Sequence, residues 1–149
     1  MFKKILVPLD GSSVSEETLH TAIFEAKLRD SEIHAVNVIN HVFVHPLMVE
    51  SSQGASGGNT EMTEILEAES DRILAHAKDV CDDEEVKVFL YKRYGDPREE
   101  ILNLSDEINA DLIILGTKGK TNLERLLLGS VSSTVIMNSK ITTLVIKNR

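Results

Sequence analysis

The sequence predicts an α/β protein, a doubly wound open parallel sheet of five strands with helices on both faces, and three observations lead there. Five short apolar runs recur along the chain: KILVPL (Lys4–Leu9), IHAVNVI (Ile33–Ile39), VKVFLY (Val86–Tyr91), DLIILG (Asp111–Gly116) and TTLVIK (Thr142–Lys147). Several are apolar at nearly every position, the pattern of strands buried on both faces of a parallel sheet. The segments between them carry helical spacing, so the order is β-α-β repeated without a break.

Each helix has its own justification. The first places Leu19, Ala22, Ile23 and Ala26 on one face, behind a capping box of Ser13 and Glu16, with Ser12 as the other candidate cap. After strand two, the stretch 40–60, NHVFVHPLMVESSQGASGGNT, begins apolar and ends rich in Ser and Gly, so it reads as a long flexible connection. The second helix aligns Met62, Leu66, Ile73, Ala77 and Val80; the third aligns Ile101, Leu104 and Ile108, with Pro97 near its start. A fourth opens near Gly129 and Ser130 and is expected to bury Val131, Val135 and Ile136. No internal repeat is visible.

Composition narrows the function classes. A chain of 149 residues is the size of one domain, 1–149, able to bury roughly 70% of its unfolded surface. The net charge of −8, from 16 Lys and Arg against 24 Asp and Glu, argues against a nucleic-acid partner. The single Cys81 has no partner for an internal disulfide or a CxxC motif, which suits a reducing compartment. MFKKILVPLDGSS is interrupted by Asp10 far short of a signal-peptide core, and no run reaches the length of a membrane span. A cytoplasmic protein with no membrane partner is the expectation.

The segment GTKGKTNLERLLLGSVSS, Gly116–Ser133, contains the tripeptide GKT that ends a P-loop. A P-loop needs a further Gly five positions before Gly119, and Ile114 stands there, so that geometry is excluded. In an open parallel sheet ligands bind beyond the carboxyl ends of the strands, where connections leave to opposite faces. Two loops compete for that crevice, PLDGSS after strand one and Gly116–Gly129 after strand four. The second leads into a helix start at Gly129-Ser130, whose unpaired N–H groups and partial positive charge suit a phosphate at Gly129, Ser130 and Val131. Glycines at 116, 119 and 129 let backbone approach a ligand closely.

The spacing Gly116-Thr117-Lys118-Gly119, then nine residues, then Gly129-Ser130 resembles the nucleotide-binding pattern G-2x-G-9x-G-[ST] of the universal stress protein family. ILVPLDGS at Ile5–Ser12, NVIN at Asn37–Asn40 and YGDPREEI at Tyr94–Ile101 are similar to the family's first strand, second strand end and third helix entry. The resemblance covers the whole chain and implies strand order 3-2-1-4-5, a stress-response role, ATP or AMP as ligand with Mg²⁺ carried by the phosphates, and a homodimer through the last strand. By position it implies that Asp10 accepts from the ribose hydroxyls, Pro8 and Leu9 flank the base, and the Val38 backbone reads the adenine edge. Gly116, Gly119, Gly129, Ser130 and Val131 would hold the phosphates, with a hydroxyl from Ser132. One departure is Thr142-Thr143, where the family often carries Pro-Val before the last strand.

Other constellations are weaker. His41 and His45 are four apart, but Pro46 follows and no HExxH pattern exists. His20, His34 and His76 are scattered; no G-x-S-x-G elbow occurs; CDDEEV at Cys81–Val86 reads as a solvated helix end. Two functional classes remain: a regulatory module whose ATP occupancy alters shape or the choice of a protein partner, and a slow ATPase or self-phosphorylating phosphotransferase in the same pocket. The enzyme needs a positioned base and a metal held by carboxylates, and the sequence offers neither convincingly. Arg125, the one Arg in the glycine-rich segment, lies among leucines. No catalytic residue and no protein-held metal site is assigned.

Overall fold

The strands pair in the order β3-β2-β1-β4-β5, all parallel, in a computed structural model that describes residues 1–40, 56–117 and 128–147, the side chains of 56–60 excepted. They are β1 (Lys4–Pro8), β2 (Glu32–Ile39), β3 (Val88–Tyr94), β4 (Leu112–Gly116) and β5 (Thr142–Ile146); the helices are α1 (Ser13–Arg29), α2 (Ser56–Asp83), α3 (Pro97–Ile108) and α4 (Ser130–Asn138). This is the doubly wound five-stranded architecture the apolar runs predict, with the expected strand order.

Near-continuous hydrophobicity of the strands has its reason in two cores. Successive side chains of a strand point to opposite faces. Ile5, Val7, Ile33, Ala35, Leu112 and Ile114 pack against Leu19, Ala22, Ile23 and Ala26 of α1 and Ala77 and Cys81 of α2. Leu6, Val36, Ile113 and Leu115 pack on the other face against Ile101 and Leu104 of α3 and Val135 of α4. The central strand β1 is therefore fully buried at Ile5, Leu6 and Val7.

Several local expectations shift. The α1 cap is Ser12, not Ser13: its side chain accepts from the Ser15 N–H, while Glu16 turns to His20 and His76. β3 starts two residues later than the run VKVFLY suggests, because Glu85 takes a left-handed conformation (φ 59°) and the Val86 N–H closes the end of α2 on the Cys81 carbonyl. It then runs on through Lys92 and Arg93, charged positions an edge strand tolerates because they pair with Glu67 and Asp71 of α2 and Glu107 of α3. α2 begins at Ser56, within the stretch expected to be connection; residues 41–55, with His41 and His45, lie outside the described residues. Met62 and Ile136, predicted to be buried, are 41% and 37% exposed, and Leu74 and Ser132 are buried in those helices instead.

Candidate functional site

The connection after β1 crosses to the α1 face and the connection after β4 leads to the α4 face, so a crevice opens at their carboxyl ends. It is a cleft of about 250 Å³. One wall is Pro8, Leu9, Asp10, Ser12 and Ser15 from β1 and the turn into α1; the floor is Val36, Asn37 and Val38 from β2. Gly116 and Leu115 from β4 and Gly129, Ser130, Val131 and Ser132 from the start of α4 form the facing wall, and Pro97 and Ile101 of α3 close one side.

The β1 turn is tied at Leu9, Asp10 and Ser12. The Leu9 N–H donates to the Val36 carbonyl at 2.8 Å, and the Asn37 amide donates to the Leu9 carbonyl at 2.8 Å. The Asp10 N–H donates to Ser15 Oγ at 3.1 Å, and Asp10 Oδ1 accepts from the Ser12 N–H at 2.9 Å, an Asx turn that fixes the carboxylate at the cleft wall. Gly11 adopts φ +83°, which explains a glycine in this turn.

The second loop is closed on itself at its base. The Thr117 N–H donates to the Ile146 carbonyl, the Gly129 N–H returns to the Thr117 carbonyl at 2.7 Å, and the Ser132 hydroxyl donates to the Gly116 carbonyl. The start of α4 is thereby held beside the end of β4. Gly129 is its N-cap with extended backbone (φ −63°, ψ 162°) and makes no side-chain cap bond. The N–H groups of the first turn have no intrahelical partner in any α-helix. α1 and α3 also begin at this cleft, and both are capped, by Ser12 and by Asp96. The Arg98 guanidinium, bonded to the Asp96 carboxylate, holds that group below the usual carboxylate range despite some desolvation.

Of the site residues expected from sequence, Pro8, Leu9, Asp10, Val38, Gly116, Gly129, Ser130, Val131 and Ser132 line this one cleft. Gly119, with Lys118, Lys120 and Arg125, lies outside the described residues. Two of the expected residues have packing roles: a Cβ on Gly116 would stand 2.3 Å from Val14 Cγ1 of α1, so this glycine is required by the helix behind it, and the buried Ser132 ties α4 to β4. Sequence reasoning missed Asn37, Ser15, Pro97 and Ile101. Asn37 had a signal, a lone amide inside the apolar run IHAVNVI. The α3 residues had none, since only tertiary packing swings that helix to the cleft. Among the described residues no three His, Cys, Asp or Glu side chains converge as a metal site, and His20 and His76 both meet Glu16 on the surface.

The profile of the universal stress protein family matches residues 1–147. The universal stress protein MJ0531 of Methanocaldococcus jannaschii is 38% identical over 147 residues, which cover 99% of this chain and 83% of that protein. MJ0577 of the same organism is 33% identical, and its solved structure matches with a TM-score of 0.87, covering 100% of this chain and 98% of the other. A universal stress protein of Archaeoglobus fulgidus, solved in complex with dAMP, shares the fold at a TM-score of 0.69 and 21% identity, covering 99% and 98% of the two chains. With the matched profile spanning all but the last two residues, and a five-stranded sheet that superimposes along its full length on a relative, the chain belongs to the universal stress protein family.

Proposed function

We propose that the cleft binds an adenine nucleotide, ATP or AMP, and that the 1–149 chain works as a single nucleotide-controlled module in a stress response. The observation that carries this reading is the start of α4, where Gly129, Ser130, Val131 and Ser132 line the cleft and Gly129 brings no capping side chain. Such a helix start attracts a phosphate through its unpaired donors and its dipole. Opposite it, the Asp10 carboxylate accepts from the ribose hydroxyls, Pro8 and Leu9 flank the base, and the Val38 backbone reads the adenine edge. The Archaeoglobus fulgidus relative, solved with dAMP, supports an adenine nucleotide as occupant. Gly119 completes the phosphate loop in this reading, and Mg²⁺ travels with the phosphates. The protein partner is an unidentified cytoplasmic one.

Binding, not turnover, is the function in this reading. A cradle of backbone N–H groups stabilises the phosphates in ground and transition states nearly alike, and uniform binding does not raise a chemical rate. Titration calorimetry with Mg²⁺ and ATP should give a low-micromolar constant, about −8 kcal/mol, with phosphate release below roughly one event per minute. No heat and no change in melting temperature at millimolar ATP would overturn the proposal; release of several per second would make the protein an enzyme.

The homodimer is proposed through β5. This strand is an edge of the sheet, with Leu144 38% exposed. An edge strand with unpaired backbone groups pairs readily with its copy. Light scattering that gives a monomer at every accessible concentration would refute it.

A further inference from the structure

Hydrogen bonds at the end of β1 depart from the parallel ladder at one position, and that position is where the base is proposed to lie. Along β2 the backbone groups alternate. Glu32 and Val36 bond toward the β1 side, to Lys3 and Leu9, whereas Ile33 and Ile39 bond toward the β3 side, to Lys87 and Gly95. Val38, two residues beyond Val36, therefore presents its N–H and its carbonyl together toward β1. The last ladder bond is Leu9 N–H to the Val36 carbonyl at 2.8 Å, and the next in a regular parallel pair would be Val38 N–H to the Leu9 carbonyl. That bond is not made among the described residues. The Leu9 carbonyl accepts instead from the Asn37 side-chain amide at 2.8 Å.

We infer that Asn37 is a positioning residue for base recognition: by satisfying the Leu9 carbonyl, its amide leaves the Val38 N–H free to face the cleft as a donor. The inference deepens the nucleotide reading and rests on it. Asn37 and Leu9 are buried at 8% and 5% exposure, so removing the amide takes from the Leu9 carbonyl the partner it has in the folded chain. The same bond anchors the turn that carries Asp10, because Leu9 immediately precedes it. Val38 then offers one donor and one acceptor side by side on a strand edge from which β1 has turned away. Adenine presents the complement, an acceptor at N1 and a donor at N6. Hypoxanthine presents the reverse at the same two atoms, a donor at N1 and an acceptor at O6, and a ribose held by Asp10 prevents the base from turning over to compensate.

ATP and ITP, which differ at that edge alone, are therefore the probes. The wild-type chain should prefer ATP over ITP at least about tenfold, and Asn37→Leu, which keeps bulk and removes the donor, should bring the ratio toward one while weakening ATP. Asn37→His retains a ring N–H at the position of the amide nitrogen and should keep the preference. Equal weakening of both nucleotides in Asn37→Leu, with the ratio unchanged, would show a merely structural role and overturn the inference while leaving nucleotide binding intact. A wild-type chain that binds neither would remove the nucleotide reading and this inference together. Hydrogen exchange in the wild-type chain needs no variant: the Val38 amide should exchange faster than Asn37 and Ile39 without nucleotide and slow at least about tenfold with ATP. A Val38 amide already protected in the nucleotide-free chain would overturn the inference.

Discussion

α1 and α4 begin at the same cleft with almost the same backbone, yet they finish their first turns in opposite ways. The N-cap of α1, Ser12, has φ −74° and ψ 169°, and that of α4, Gly129, has φ −63° and ψ 162°. Ser12 puts a hydroxyl onto the Ser15 N–H; Gly129 puts nothing onto α4. The negative φ at Gly129 is open to any residue, so backbone strain does not explain the glycine there. Relative to glycine a capping side chain adds only about a few tenths of a kcal/mol, and α4 forgoes it. α1 is thus finished by its own side chain, whereas the first-turn donors of α4 have no partner among the described residues.

Giving α4 its own cap should have the largest effect. Gly129→Asp places a carboxylate where the phosphate is proposed to sit. ATP affinity should fall at least about a hundredfold, or roughly 2.7 kcal/mol, while the nucleotide-free chain gains up to about 1 kcal/mol of stability. Calorimetry and thermal melting together read both effects. ATP binding within a few-fold of wild type would place the phosphates elsewhere.

Gly116→Ala separates packing from ligand contact in the same loop. The added Cβ meets Val14 Cγ1 at 2.3 Å, so the chain should lose about 1–3 kcal/mol. Val14→Ala in the same molecule should restore part of that loss. An unchanged melting temperature with lost ATP binding would instead assign Gly116 to the phosphates.

Removing the α1 cap is the converse of adding one to α4. Ser12→Ala should cost about 1 kcal/mol and lower the melting temperature by about 2–4 °C, with ATP affinity little changed. A large loss of ATP binding at full stability would show that Ser12 serves the ligand as Gly129 is proposed to.

The smallest effect belongs to the third helix start. Asp96 caps α3 through the Arg98 N–H, and its pairing with the Arg98 guanidinium lowers its pKa in the folded chain. A carboxyl depressed by folding contributes stability that is present above its unfolded value and is lost as pH falls through the folded one. Asp96→Asn should therefore be less stable at neutral pH by under about 1 kcal/mol, the pair being partly exposed, and the gap should close on acidification below the ordinary carboxylate range. A gap that persists at low pH would mean that the charge is not what holds this helix start.

The order of elements, the burial of the central strands on both faces and the switch point between β1 and β4 were determined by the sequence alone. They follow from periodicity and chain order, which are local properties that any window of the chain displays: IHAVNVI and DLIILG read as two-faced strands without knowledge of their neighbours. The Gly129-Ser130 helix start was legible for the same reason. What the tertiary structure decided are the contacts between segments far apart in the chain. β3 runs from Val88 to Tyr94 because the end of α2 consumes Val86 and because the acids of α2 and α3 receive Lys92 and Arg93. Gly116 owes its missing Cβ to Val14, in an element far away in chain order, and Asn37 finds the Leu9 carbonyl only once β1 and β2 are in register. No periodicity encodes such pairs, since each depends on which residue of one element arrives opposite which residue of another.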